Sequence, residues 1–201
     1  MIVLEIDQKS QEWIECRRGI PTASSFDLIV TSKGEPSKQR EKYLYRLAGE
    51  RVSGQAAANG YKNASMERGE EMEQEARAAY EFMHDCQVVQ VGICYPNEDR
   101  KYACSPDGLV GDDGILEIKC PDLATHVAYL LKGTLPTEYV QQVQGQLLVT
   151  GRQWCDFMSY YPGLKPLIVR VYPDTAFQDA LAKELEQFNK DLEVIAERIA
   201  V

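Results

Sequence analysis

Two carboxylates and an ammonium, Asp107, Glu117 and Lys119, fall within the single stretch from Ser105 to Pro121. Residues 115–120 alternate like a buried strand, with Gly114 before them and Pro121 after. A two-residue period puts Glu117 and Lys119 on one face and Ile118 on the other. Burying charge on such a strand is costly, so the pair is either a structural ion pair at a sheet edge or part of a working site. An ion pair leaves Asp107 and the turn Ser105-Pro106-Asp107-Gly108 without a purpose. A metal site uses all of them. Asp107 and Glu117 offer hard oxygens to Mg²⁺, and Lys119 positions or deprotonates an attacking water.

Pro106-Asp107, a spacer, then Glu117-Ile118-Lys119 also matches the PD-(D/E)xK nuclease pattern. The pattern is loose on its own and gains weight from the strand-like segments on both sides.

The elements around this stretch read as one domain. A chain of 201 residues can bury a core without staples. Its 44% hydrophobic and 26% charged content is ordinary for a globular protein. Met1 to Asp7 is too short and acidic for a signal peptide, and no apolar run approaches a membrane span, so a cytoplasmic protein with no membrane contact is expected. The cysteines at 16, 86, 94, 104, 120 and 155 form no CxxC and no cluster with His84 or His126. They read as small core residues in a reducing compartment, which argues against zinc or iron–sulfur chemistry. The net charge of −9 opposes general nucleic-acid binding, but residues 1–62 carry ten Lys/Arg against eight Asp/Glu, and the remainder twelve against twenty-three. DNA contact would have to be local and use the basic amino-terminal third, whose plainer reading is a solvated helical surface.

Ser10 predicts an N-cap for a helix to Arg18 with Trp13 and Ile14 inward. Thr22 predicts another cap, with Phe26, Leu28 and Ile29 inward. Residues 37–52 and 64–84 read as helices, separated by a Gly-, Ala- and Asn-rich loop over 53–63. On the second, Met72, Ala76, Ala79, Tyr80 and Met83 mark the buried face, and Glu73 pairs at helical spacing with Arg77. Strands are predicted over 87–95, 101–105, 115–120, 154–161 and 167–172. A helix over 123–132 carries Leu123, Val127, Leu130 and Leu131. Another, capped by Thr137, runs to Val149 with Val140, Val143 and Leu147 inward, and Gln142 and Gln146 on one edge with Tyr139. Asp174 opens an amphipathic closing helix that should cover the sheet. His84 reads as a helix-end residue and His126 as a surface one, and neither stands in a Ser or Cys motif context. The fold expected is α/β, a mixed five-stranded sheet with helices on both faces.

Five blocks in order then resemble one family. They are Trp13 with Arg17-Arg18-Gly19-Ile20-Pro21-Thr22-Ala23-Ser24, Arg68-Gly69-Glu70-Glu71-Met72-Glu73, Ser105-Pro106-Asp107-Gly108, Glu117-Ile118-Lys119-Cys120-Pro121, and Tyr139-Val140-Gln141-Gln142-Val143-Gln144. The chain is similar to the YqaJ/lambda-exonuclease group of phage-type alkaline exonucleases. Arg68 and Met72 stand where bulkier aromatics are familiar in that group. The resemblance implies a restriction-endonuclease-like core in a single nuclease domain, with a basic helical part over about 1–62 and a metal-binding core over about 63–201. It implies a Mg²⁺-dependent 5′→3′ exonuclease that leaves a 3′ single-stranded tail on linear double-stranded DNA for recombination, with two ions and Mn²⁺ able to substitute. A homotrimeric ring and a single-strand annealing recombinase as partner are implied as well. Carried over by position, Asp107, Glu117, the Ile118 carbonyl and Glu73 would bind metal, and Lys119 would orient the water. Arg17, Ser24, Ser105 and Gln142 would hold a 5′-phosphate.

Two other readings compete. An endonuclease of the same superfamily, such as a junction resolvase, would not require the Arg17, Ser24 and Gln142 set. A non-catalytic DNA-binding scaffold would be expected to lose some of Asp107, Glu117 and Lys119, and all three are present.

Overall fold

The computed structural model describes residues 1–56 and 64–200, and over 64–71 the backbone alone. Residues 57–63 of the predicted loop and the Arg68 side chain lie outside that description. The elements run β1 (Ile2–Leu4), α1 (Gln11–Arg17), a 3-10 segment (Ala23–Leu28), α2 (Arg40–Ser53), α3 (Ala64–His84), β2 (Val88–Val89), β3 (Ile93–Tyr95), β4 (Gly108–Val110) and β5 (Gly114–Lys119). Then come α4 (Leu123–Lys132), a 3-10 turn (Thr137–Tyr139), α5 (Val140–Thr150), β6 (Trp154–Ser159), β7 (Leu167–Val171) and α6 (Thr175–Ile199).

The expected mixed five-stranded sheet is present, in the order β2-β4-β5-β6-β7, with only β5 and β6 parallel. The alternation of β5 decides what covers it. Leu116 and Ile118 face Ala76 and Tyr80 of α3, while Ile115 faces Val143 and Leu147 of α5. Helices therefore close both faces. A third apolar cluster joins α2 and α6 through Tyr43, Leu44, Leu47, Leu181, Leu185, Phe188 and Leu192. The closing helix was expected to cover the sheet; it packs mainly on α2 instead. Asp156 on β6 is buried at 1% exposure. It takes a bidentate pair from Arg170, at 2.9 and 2.8 Å, and the Tyr80 hydroxyl at 2.7 Å.

Several local expectations change. Residues 101–105 are not a strand of the sheet. Ala103 bridges Thr22 on one side and Cys104 bridges Cys94 on the other, so the segment ties the amino-terminal region to β3. The fourth strand is β4, hidden in the sequence because Gly108 begins it directly after the Ser-Pro-Asp turn. Residues 87–95 split into β2 and β3, which enter different sheets. Gly92 lies at the break, where a Cβ would stand 2.3 Å from Ile6. Ser10 and Asp174 cap as expected, accepting from Trp13 N and Phe177 N. Thr22 and Thr137 make no side-chain cap. Leu123, Val127, Leu131 and Met83 point to solvent; on α4 the buried residues are His126 and Tyr129. Among the described residues no helix is long and apolar enough to cross a membrane.

One glycine fixes how α5 approaches the segment that follows α1. A Cβ on Gly145 would stand 2.4 Å from the Phe26 ring. Gly145→Ala should destabilise the fold by about 1–3 kcal/mol through overpacking, although alanine is the better helix former. Urea unfolding checks this, and a midpoint at or above that of the parent would contradict it.

Candidate active site

The end of β5 gathers the charged residues. Glu117 points towards α5 and is 1% exposed. Its Oε1 accepts Lys119 Nζ at 2.6 Å and Gln142 Nε2 at 2.5 Å, and its Oε2 accepts Gln146 Nε2 at 2.5 Å. The pairing of β4 with β5 stops at Gly108 and Leu116, so the next peptides of β5 lack a strand partner on that side. Asp107 fills the gap, its Oδ2 accepting Ile118 N at 2.6 Å. The Lys119 carbonyl turns to the β6 side, where it accepts Tyr160 N. Carbonyls alternate along a strand, so that of Ile118 faces the Asp107 edge.

Burial, with the Glu117 and Glu73 charges added to it, pushes the Asp107 carboxyl well above the usual range, against the pull of Lys119 and the Ile118 N–H. Burial works against the Lys119 ammonium, but Glu117 and Asp107 outweigh it and raise its pKa. Lys119 is thus a held cation rather than a base in waiting, and its Nζ lies 5.2 Å over the Tyr139 ring. Glu73 makes the helical pair with Arg77, at 2.8 Å. It lies near enough to raise Asp107, yet among the described residues no three of His, Cys, Asp and Glu are grouped to hold a metal ion.

A second cluster forms around Arg17. Its guanidinium donates to Ser105 Oγ at 3.1 Å, Thr22 Oγ1 at 3.1 Å and Ser24 Oγ at 3.2 Å, and stacks 4.1 Å from the Trp13 ring. Trp13 Nε1 donates to Ser105 Oγ and to the Gly92 carbonyl, both at 2.9 Å. The Thr22–Ala103 bridge explains the assembly, because it lays the segment after α1 alongside the approach to Ser105. Arg17, Ser24 and Ser105 are therefore together. Gln142 is turned to Glu117 instead.

Thr22, Trp13 and Gln146 have site contacts that spacing did not assign. Thr22 was read as a cap. Gln146 carried a visible signal, four residues after Gln142 on one helix edge. His126, expected at the surface, is fully buried between Ser159 Oγ at 2.8 Å and the Lys165 carbonyl at 3.1 Å. That burial makes the Ser–His pair a structural contact.

The chain matches the YqaJ-like viral recombinase domain over residues 12–153. An alkaline exonuclease from Laribacter hongkongensis is 35% identical, with a TM-score of 0.85, over 94% of this chain and 96% of that one. The same protein in complex with dAMP matches at a TM-score of 0.86 over the same shares. A phage-related exonuclease from Haemophilus somnus, 14% identical, shares the fold at a TM-score of 0.69, over 90% of this chain and 96% of that one. An uncharacterized protein of Acanthamoeba polyphaga mimivirus is 26% identical over 77% of this chain, which spans 29% of that relative's length.

The raised Asp107 pKa sets a pH dependence. Between the unfolded value and the raised folded value the native state holds a proton that the unfolded chain has lost. Without a bound cation, stability therefore falls as pH rises through that interval. Asp107→Asn removes this titration. In EDTA, thermal midpoints followed from about pH 4 to about pH 9 should fall less in the variant, which should be the more stable form at the alkaline end. Parallel curves would contradict the assignment.

Proposed function

The chain belongs to the YqaJ-like viral recombinase family, an alkaline-exonuclease-like group of nucleases, and from that footing we propose that it is a divalent-metal-dependent 5′→3′ exonuclease on linear double-stranded DNA. The observation that carries the proposal is the adjacency of two different clusters. Ser105 belongs to the Arg17 cluster and Asp107 to the acidic one. Two residues of chain hold their Cα atoms within about 7 Å. A group that recognises a terminal phosphate and a group that hydrolyses a phosphodiester would thus work on neighbouring parts of one strand.

The donor set fits a hard cation. Asp107 and the Ile118 carbonyl share one edge of β5, Glu117 lies near enough to add to the burial that raises Asp107, and only Oδ2 of Asp107 is engaged among the described residues. Asp107, Glu117 and the Ile118 carbonyl would hold Mg²⁺, or Mn²⁺ in its place. Glu73 would join a second ion only on leaving Arg77. A bound divalent ion supplies Lewis acidity to the phosphoryl oxygens and lowers the pKa of water. Lys119 places a fixed positive charge where negative charge develops on the phosphoryl group. Arg17 offers a guanidinium fork, and the Ser24 and Ser105 hydroxyls surround it, a donor set suited to a phosphate dianion. The relative solved with dAMP, a mononucleotide, is compatible with release of single nucleotides. Cleavage that leaves each phosphate on the shortened strand would regenerate the end the Arg17 cluster reads.

A homotrimeric ring and a single-strand annealing partner belong to the same proposal. The exposed Leu123, Val127 and Leu131 of α4 offer an apolar face for such contacts.

Linear duplexes with 5′-phosphate or 5′-hydroxyl ends, and closed circles, provide the test. Digestion should need Mg²⁺, prefer 5′-phosphate ends and spare the circles. Lys119→Ala and Asp107→Ala should abolish it, with rates down by at least about 10³-fold. Arg17→Ala should remove the preference for the phosphate. Cutting of closed circles would favour the endonuclease, and full activity in EDTA would remove the metal from the mechanism.

A further inference from the structure

Glu117 is held by more groups than an ion pair requires. An ionised carboxylate offers roughly four lone-pair sites. Lys119 and Gln142 use both at Oε1, and Gln146 uses one at Oε2. A single site remains, on Oε2. Gln142 is half-buried and shares its oxygen with the ammonium. Gln146 differs: it is 1% exposed, lies between Val143 and Leu147 of the apolar layer, and has Oε2 to itself. A primary amide in such a layer carries a desolvation cost that leucine would avoid. Its orientation is also set from behind. The Cys155 thiol points at Gln146 Oε1 from 4.0 Å, which leaves Nε2 facing the carboxylate. Reversed, the amide would oppose oxygen to oxygen.

We propose that Gln146 is a positioning residue which fixes the rotation of the Glu117 carboxylate, so that Glu117 presents one oxygen, Oε2, to a divalent cation. The inference rests on the cation site proposed above. Lys119 and Gln142 keep Oε1 occupied, and Gln146 keeps the carboxylate from turning its plane. Without the amide, Glu117 keeps its charge and its Lys119 contact but loses the constraint on the oxygen that meets the ion.

Calorimetric titration of the full chain with Mg²⁺, and with Ca²⁺ as a second probe, tests this without turnover. Gln146→Leu and Gln146→Met should each weaken cation binding by about 10–100-fold, the usual effect of losing a group that orients a ligand. The Mg²⁺ concentration for half-maximal digestion should rise in parallel. Methionine preserves the length of the side chain, so it decides the matter if the leucine variant fails to fold. Folded variants that bind Mg²⁺ within twofold of the parent would overturn the inference while leaving the cation site intact. A parent chain that binds neither ion would overturn the cation site itself, and the inference with it.

Discussion

A carboxylate removed from water on a central strand costs several kcal/mol unless charge and hydrogen bonds replace its hydration. Glu117 imposes that requirement on this fold. The ammonium comes from the same face of β5, two residues on, and the amides come from α5, one helical turn apart at Gln142 and Gln146. For those amides to arrive, α5 must lie flat on the β5 and β6 face, which Val143 and Leu147 secure against Ile115, Cys155 and Phe157. Gly145 then allows the opposite side of α5 to meet Phe26. The segment bearing Thr22 and Ser24 is thereby held close to the same helix that compensates Glu117.

The sequence was most legible where local chemistry and tertiary role agree. Ile115–Lys119 is buried along nearly its whole length because both its faces are covered, so the charges of Glu117 and Lys119 stand out in an apolar run. Legibility failed where pairing decides structure. Gly108–Val110 is too short and too glycine-rich at its start to register as a strand, yet its pairing with Gly114–Leu116 makes it one. Tyr102–Cys104 looks like a strand and is one residue deep on each side. On α4 the periodicity of Leu123, Val127 and Leu131 is real, but it describes a face that the single chain leaves in water. Periodicity reports that a face is apolar; it does not report what covers it.

Glu73 shows the same limit at the site. Spacing favoured the Arg77 pair, resemblance favoured a metal ligand, and the geometry holds the first while leaving the carboxylate close enough to raise Asp107. The Arg77 pair is the arrangement the structure shows, and the metal role belongs to the proposed function. Arg77 is 8% exposed, and its Nε has no partner among the described residues. An arginine so buried needs a nearby anion, and among the described residues Glu73 supplies it. Moving Glu73 to a second ion would cost that compensation, and the ion's own charge would have to exceed it.

The two clusters also differ in how they are built. The Glu117 clamp is built from β5 and α5, elements closed by apolar layers on both sides. The Arg17 cluster is built from the end of α1, the segment after it and the approach to β4, joined by single bridges at Ala103 and Cys104. Trp13 adds a further tie to that cluster. Its indole face lies along Arg17 while its N–H donates to Ser105. Ser105 Oγ therefore accepts from both Trp13 and Arg17, and with those lone pairs taken its own proton is left to donate outward. A hydroxyl polarised in that direction suits an anion and not a cation. On the proposed reading this donor would face a phosphate, while Asp107, two residues away, would face a cation of the opposite sign.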